Sequence, residues 1–171
     1  MKLWSIQNEE QFQNYKNTGT INGDPEKAMF PKAYKWLVSE MNNKLETNVT
    51  ETYPVWAWYK YGKKKRPDLR EGGHAKRGTT LYLFELEIPD NEVILTDFEY
   101  WHYVLNNSAL IQDLEKFYTN EEKLESWQNI FDLDFRLYGD EDDEKFPRYV
   151  QATFWGIKKE NVLSIKKFIA K

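Results

Sequence analysis

The chain has 171 residues, no cysteine, and a net charge of −4 from 28 acidic and 24 basic side chains. This length fits one domain over residues 1–171 with a core that needs no disulfide, and the lack of cysteine excludes thiolate metal ligands and cysteine nucleophiles. The negative charge disfavours nucleic-acid binding over the whole surface. No stretch has the pattern of a signal peptide or the ~20 apolar residues of a membrane span, which predicts a cytoplasmic protein without membrane contact.

The first quarter of the chain predicts one short strand and two helices. Residues 3–7 alternate weakly and indicate a strand, and the short helix that follows ends at Gly19. Asp24 and Pro25 have the order of a helix cap and a first-turn proline, and Pro31 restarts or kinks that helix. Apolar residues at helical spacing extend it to about residue 45: Phe30, Ala33, Tyr34, Leu37, Val38, Met41 and Leu45.

Three strands are predicted in the middle of the chain, at residues 55–61, 81–88 and 93–95. Alternation divides the first into two faces, with Trp56, Trp58 and Lys60 on one and Val55, Ala57, Tyr59 and Tyr61 on the other. Both faces are largely apolar, so the sequence does not decide which of them is buried. In the second strand, alternation separates Tyr82, Phe84, Leu86 and Ile88 from Glu85 and Glu87.

Helices are predicted next along the chain. Thr96 or Asp97 caps a helix that ends at residues 106–108, and Ser108 caps a second helix. Thr119 opens a capping box of the Thr-x-x-Glu type, which predicts the start of a third helical segment.

Two further strands, at residues 149–157 and 162–169, close the chain. Strands near both termini with helices between them predict a sheet in which the two ends of the chain meet. We therefore expect an α+β fold: a single compact domain with a mixed or antiparallel sheet of short strands and helices packed around it.

Two segments of opposite charge stand out from the average composition. Residues 60–78 contain eight basic side chains against two acids, and residues 132–144 contain seven acids against Arg136 alone. The acidic segment overlaps a predicted loop at residues 139–145, which is a candidate contact for a protein partner. Both segments also fit solvated loops.

The aromatic strand that runs into the basic loop is the main candidate for a ligand site. Trp56 or Trp58 is suited to stack on a flat ring, and Arg66 and Arg70 are suited to hold a phosphate group through paired hydrogen bonds. Pro67 stiffens the loop between the two arginines. The same surface also suits single-stranded nucleic acid.

Five further residues complete the candidate site. His102 is a candidate general base or ligand contact, Gln151 beside aromatic residues is suited to read an amide or a base edge, and both are candidate catalytic residues. Asp97, Trp101 and Gln7 are candidate ligand contacts. Ordinary packing or surface roles remain the alternative for each of them.

Several known chemistries are not indicated by the sequence. It has no Walker loop, no dinucleotide-binding glycine pattern and no Gly-x-Ser-x-Gly turn. Its two histidines, His74 and His102, do not form a metal-binding pair, so no metal site is expected. Gly72 and Gly73 are interpreted as part of a flexible loop.

Five segments carry a resemblance to a known family: Leu3-Trp4-Ser5-Ile6-Gln7, Pro54-Val-Trp-Ala-Trp58, Arg66-Pro-Asp-Leu-Arg70, Thr96-Asp-Phe-Glu-Tyr-Trp-His102 and Val150-Gln151-Ala152. The chain resembles the bacterial domain of unknown function 3841 family over nearly its whole length. The Trp-x-Trp and Asp-x-x-x-Trp-His patterns are the most specific parts. The resemblance implies a single-domain bacterial protein and no particular activity.

A looser resemblance in layout is to ADP-ribosyltransferase-like folds, through the short first strand, the small helix and the closing pair of strands. That resemblance implies an Arg or His on the first strand and a Glu on a late strand. This chain has Ser5 and Gln7 on the first strand and Gln151 at the late position, which implies a divergent or inactive member.

Three functions follow from these observations. The first is a pocket for a nucleotide or another phosphate-bearing ligand, with NAD or a nucleotide as the candidate cofactor or ligand. The second is binding of RNA or single-stranded nucleic acid, against which the net charge of −4 argues. The third is a protein-interaction module that uses the acidic loop. The sequence does not determine whether the protein is an enzyme.

Overall fold

The computed structural model describes residues 1–111, 117–137 and 148–171. The strands are β1 (Lys2–Asn8), β2 (Thr20–Ile21), β3 (Val55–Tyr61), β4 (Thr80–Glu87), β5 (Ile94–Asp97), β6 (Tyr149–Phe154), β7 (Ile157–Lys158) and β8 (Val162–Ile169). The α-helices in these ranges are α1 (Glu9–Thr18), α2 (Pro31–Leu45), α3 (Phe98–Leu105) and α4 (Asn120–Ser126). None of these helices is both long enough and apolar enough to cross a membrane.

The main sheet has six strands in the order β5-β6-β3-β1-β4-β8, and every neighbouring pair is antiparallel. β2 and β7 form a separate two-stranded sheet. The first and last long strands, β1 and β8, flank β4, so both ends of the chain lie in the same sheet. This arrangement confirms the predicted α+β fold with an antiparallel sheet.

One face of the sheet packs against α1. Leu3 of β1 and Phe84 of β4 are fully buried there, and the Phe12 ring of α1 stacks on Tyr82 with 3.8 Å between centroids. Asn8 caps α1 by accepting a hydrogen bond from the backbone N–H of Gln11. The helix ends at Gly19, as predicted, because this glycine adopts the left-handed conformation at φ 78°.

The opposite face of the sheet packs against α2, α3 and the segment around α4. Leu37 and Met41 of α2 are fully buried with Trp101 and Val104 of α3 in a second hydrophobic cluster. Because β3 lies inside the sheet, it has neighbours on both faces. Val55 and Ala57 belong to the first hydrophobic cluster, on the α1 side of the sheet, while Trp56 packs against the second cluster, on the α2 side. Both faces of this strand are therefore covered at its start.

The expected helix start at Asp24 and Pro25 is only partly correct. Asp24 does cap a turn, but that turn is a short 3-10 helix, Pro25–Lys27, and the long helix begins at Pro31. Phe30, the residue before Pro31, has φ −124° and ψ 66°, which is outside the helical region. A proline disfavours helical backbone angles in the residue that precedes it, so the helix begins at Pro31. The restart at Pro31 and the end at Leu45 are confirmed.

The predicted faces of β3 need a correction at its end. A β-bulge between Trp58 and Lys60 shifts the register against β6, so Lys60 pairs with Val150 and Tyr61 with Tyr149. Tyr61 thus reaches the face of Trp58, and the two rings meet edge to face at 4.9 Å. Simple alternation fails here because a bulge inserts one extra residue.

Other predicted elements are confirmed or lie outside the described residues. Asp97 caps α3, and Thr119 forms the predicted capping box with Glu122. The strand expected at residues 149–157 is divided into β6 and β7. The helix predicted to start at Ser108 is wrong for residues 109–111, which are described and not helical, and its continuation falls on residues 112–116, outside the described ranges. The acidic loop predicted at 139–145 also lies outside the described ranges.

Candidate ligand-binding site

Trp58 and Gln151 face the same side of the sheet on neighbouring strands, where they are register partners. Trp58 is surrounded by the rings of Phe98 at 5.1 Å, Tyr61 at 4.9 Å and Tyr149 at 6.1 Å, all at steep angles. We call Trp58, Tyr61, Phe98, Tyr149 and Gln151 the aromatic cluster. Its rings touch one another, so they form a packed wall and not an open cage.

His102 adjoins the aromatic cluster from α3. Its ring lies 4.7 Å from that of Phe98, and its Nδ1 lies 2.9 Å from the Phe98 carbonyl oxygen. Because a carbonyl oxygen only accepts hydrogen bonds, Nδ1 carries the hydrogen of this contact, and in the neutral form of the ring Nε2 is an acceptor. His102 is exposed, so this acceptor is open to solvent on the side of the cluster formed by α3.

Two of the expected ligand contacts, Trp56 and Trp101, instead pack in the second hydrophobic cluster, and a third, Asp97, is buried in an ion pair. Trp101 is 4% exposed, and its ring lies 5.2 Å from that of Trp56. Asp97 accepts a hydrogen bond from the backbone N–H of Tyr100 and forms a buried ion pair with Arg148 at 2.6 Å. These contacts indicate packing and positioning roles for Trp56, Trp101 and Asp97.

Gln7 lies on the other face of the sheet. Trp4 pairs with Trp58 and shares its face, so the odd-numbered residues of β1 point to the side of α1. The Gln7 side chain donates to Ser5 Oγ at 2.7 Å, and Ser5 Oγ donates to the Trp56 carbonyl oxygen at 2.7 Å. The two polar side chains of the first strand are thus held in internal hydrogen bonds.

The basic loop that follows β3 is organised around Asp68. Arg70 donates to both carboxylate oxygens, at 2.9 and 2.8 Å, and Lys64 donates to one of them at 2.8 Å. The Arg70 guanidinium, followed by Lys64, lowers the pKa of the Asp68 carboxyl far below its ordinary value. Lys64 also contacts Glu71 at 3.4 Å. The charges of Arg70 and Lys64 are therefore largely compensated within the loop.

His74 fastens this loop to the sheet. Its Nε2 lies 3.0 Å from the Asp68 carbonyl oxygen, and its ring contacts Tyr61 at 6.2 Å and Phe168 of β8 at 5.9 Å. Through Tyr61, the basic loop and the aromatic cluster form one continuous surface.

An open groove of about 530 Å³ lies where the start of β1 and the end of β3 meet this loop. Trp4 and Tyr59 are its aromatic walls, 7% and 40% exposed, and neither makes a ring contact or side-chain hydrogen bond with a described residue. We call this the lysine groove. It is lined by Met1, Lys2, Trp4, Tyr59, Lys60, Lys63, Lys64, Lys65 and Asp90.

Three of the cations in the lysine groove are uncompensated. Lys60, Lys63 and Lys65 make no ion pair with any residue in the described ranges, whereas Lys2 pairs with Glu85 at 2.8 Å. The groove therefore combines free positive charge with an exposed ring. Trp4 is the register partner of Trp58, so the groove adjoins the aromatic cluster.

A second cavity of about 370 Å³ is formed by the basic loop with Leu83 of β4 and Lys166 of β8. It is lined by Lys64, Arg66, Pro67, Asp68, Leu69, Arg70, Leu83 and Lys166. Within the described part of the chain, Arg66 and Lys166 have no ion-pair partner. We call it the Arg66 cavity.

The sequence predicted the basic loop but did not predict the lysine groove. Trp4 and Tyr59 were not among the expected ligand contacts, because nothing near either residue in the chain indicates that the two are adjacent. The lysine run at 63–65 was the available signal, and its significance depends on which basic residues Asp68 neutralises. No group of three or more His, Asp or Glu residues in the described ranges could hold a metal ion.

The fold and the groove together define an α+β domain with a basic groove beside its central strands. The chain belongs to the family described as Domain of unknown function (DUF3841), which matches residues 2–125. The matched segment runs from β1 into α4, so it includes the lysine groove and the basic loop, while Gln151 lies beyond it. Searches of curated proteins and of solved structures give no match.

Proposed function

We propose that this protein binds a small phosphate-bearing ligand with a flat ring, of the nucleotide class, in the lysine groove. The observation that supports this most directly is that Lys60, Lys63 and Lys65 have no ion-pair partner among the described residues, although the whole chain carries a net charge of −4. Acidic side chains outnumber basic ones, yet none of those in the described ranges pairs with these three cations.

The chemistry of the groove fits a nucleotide better than a bare anion. Lysine binds phosphate as a point charge, and three ammonium groups around one cavity attract a multiply charged anion. The exposed Tyr59 ring offers a surface for a base, and such stacking contributes about 1–3 kcal/mol. A volume of about 530 Å³ lies in the ordinary range for small-molecule sites.

The aromatic cluster adds a second element to this proposal, which is recognition of a polar edge of the ligand by Gln151. Since Trp4 pairs with Trp58, a ligand in the groove lies beside the cluster, where Gln151 makes no side-chain hydrogen bond with a described residue. Its amide is available to recognise a polar edge of the ligand. The layout resemblance to ADP-ribosyltransferase-like folds makes NAD the first nucleotide to examine.

The test is calorimetric titration of the protein with NAD, ATP and AMP at 50 and 200 mM salt. We expect at least one of them to bind, and Lys63→Gln/Lys65→Gln to weaken that binding at least tenfold because two cations are lost. The matched control is Lys32→Gln/Lys35→Gln, which removes two exposed lysines of α2 and leaves the groove intact. Glutamine keeps most of the length of the stem, so packing changes little.

A further variant separates ring recognition from charge. Tyr59→Ala should weaken nucleotide binding and leave inorganic pyrophosphate binding unchanged, because pyrophosphate has no ring to stack. The proposal is overturned if no nucleotide binds, or if the groove and control variants behave alike. Binding of single-stranded RNA alone, with an affinity that falls steeply with salt, would assign the surface to nucleic acid instead.

The protein-interaction alternative rests on the acidic segment. A partner that is captured by the native protein and lost when residues 140–144 are neutralised would support it. Retention of that partner after neutralisation would exclude the acidic segment as the contact.

A further inference from the structure

The geometry points to a ligand with two phosphate groups at separate positions, one in the lysine groove and one in the Arg66 cavity: a nucleoside bisphosphate with its phosphates on different atoms of the sugar. This inference rests on the proposed function and specifies its ligand class. Lys64 lines both cavities, so a ligand that crosses this side chain reaches the two of them.

Each cavity has cations of its own without an ion-pair partner in the described ranges. The lysine groove has Lys60, Lys63 and Lys65, and the Arg66 cavity has Arg66 and Lys166. Asp68, which also lines the Arg66 cavity, is bound by Arg70 and Lys64, and Glu85 already pairs with Lys2 at 2.8 Å. The pKa of Glu85 is lowered mainly by Lys2 and to a smaller extent by Arg66, which places Arg66 within electrostatic reach but out of contact.

At the boundary between the two cavities, the cations are paired with carboxylates. The Lys64 ammonium is held by Asp68 at 2.8 Å and Glu71 at 3.4 Å, and Asp68 also binds Arg70. Two carboxylates therefore accompany two cations at this point, and a phosphate placed there gains little attraction and meets like charge. A neutral part of the ligand, such as a sugar, fits the boundary better than a continuous chain of phosphates.

Two charged cavities with a compensated boundary thus favour separated phosphates over contiguous ones. Arg66 is suited to the second position because its guanidinium binds phosphate oxygens in pairs. Arg70, expected from the sequence to act with Arg66, instead directs its guanidinium at Asp68. Lys166 of β8 takes its place as the second cation of the cavity.

The experiment compares AMP, ADP and adenosine 3′,5′-bisphosphate by calorimetry with the full chain. ADP and the bisphosphate have the same number of phosphates, so their difference reports the position of the second group. We expect the bisphosphate to bind at least tenfold more tightly than ADP. Arg66→Gln/Lys166→Gln should abolish this advantage, and it should weaken binding of the bisphosphate far more than binding of AMP.

Lys32→Gln/Lys35→Gln is again the control for loss of two charges, and the melting temperature of each variant verifies that it is folded. The inference is overturned if ADP and the bisphosphate bind equally, or if the advantage persists in Arg66→Gln/Lys166→Gln. If AMP binding depends on Lys63 and Lys65 but the bisphosphate has no advantage, the proposed function stands and this inference fails. If none of the three ligands binds, this inference fails, and the proposed function fails with it only if NAD and ATP do not bind either.

Discussion

Asp97 illustrates how the surroundings of a residue decide its role. Its position before an aromatic helix and close to His102 in the chain suggested a ligand contact, but its carboxylate is buried between the first turn of α3 and Arg148. Arg148 also donates to the backbone carbonyls of Leu133 and Phe135. The ion pair therefore joins α3, β6 and the segment after α4.

Replacing Asp97 should be strongly destabilising. In Asp97→Ala, Arg148 remains buried without its counter-charge, and we expect a loss of about 3–5 kcal/mol in the free energy of unfolding. Asp97→Asn should lose less, because the amide oxygen still caps the helix. Urea denaturation measures both, with Glu99→Ala, an exposed carboxylate in the same helical turn, as the control. Equal losses for Asp97→Ala and Glu99→Ala would contradict this role for the ion pair.

At the scale of the element, β3 shows what a single extra residue does. The bulge near Tyr59 directs Tyr61, the last residue of the strand, to the side of Trp58, and Gly62 follows with φ 59°. A Cβ atom at Gly62 would lie 3.3 Å from Cζ and from the hydroxyl oxygen of Tyr149. Gly62 thus permits both the left-handed turn into the basic loop and the close approach of β6.

Gly62→Ala should therefore destabilise the protein for two reasons. A left-handed backbone costs an L-residue about 1–2 kcal/mol, and the crowded Tyr149 ring adds to that cost. Gly73→Ala is the matched control, because Gly73 also has a positive φ, 91°, but a Cβ there meets nothing within 4 Å. We expect the urea midpoint to fall further for Gly62→Ala than for Gly73→Ala. Equal shifts would show that the Tyr149 contact has no effect.

At the scale of the whole molecule, one sheet carries a hydrophobic cluster on each face. Strands far apart in the chain alternate in this sheet: β1 lies between β3 and β4, and β6 lies between β5 and β3. Both clusters pack on this six-stranded sheet, and the two-stranded sheet adds only Ile21 and Ile157 to the cluster on the α1 side. Loss of one cluster uncovers the strands on which the other depends, so we expect the domain to unfold in a single cooperative transition.

One core substitution on each face tests this. Phe84→Ala, in the first hydrophobic cluster on the α1 side, should lower the free energy of unfolding by about 3–5 kcal/mol. Leu37→Ala, in the second cluster on the α2 side, should lower it by about 2–5 kcal/mol. In both variants, the urea transitions followed by far-ultraviolet circular dichroism and by tryptophan fluorescence should coincide. Separate transitions in the Leu37→Ala variant, with the α1 side still folded, would contradict a single cooperative unit.

The sequence by itself predicted those features that depend on residues within a few positions of one another. The end of α1 at Gly19, the capping box at Thr119 and the faces of β4 follow from local backbone preferences and from the periodicity of helices and strands. The limits of β3 at residues 55 and 61 were predicted for the same reason. Local geometry is sufficient for these elements because each signal lies inside the element that it specifies.

Tertiary structure alone decided the strand order, the bulge in β3 and the location of the candidate site. Trp4 and Tyr59 line one groove because β1 and β3 pair across a long separation in the chain. The fold of the loop around Asp68 determines which lysines have no ion-pair partner among the described residues. Trp101 lies in the core because α3 packs against α2. These outcomes arise from contacts between distant residues, and neither periodicity nor a local motif contains that information.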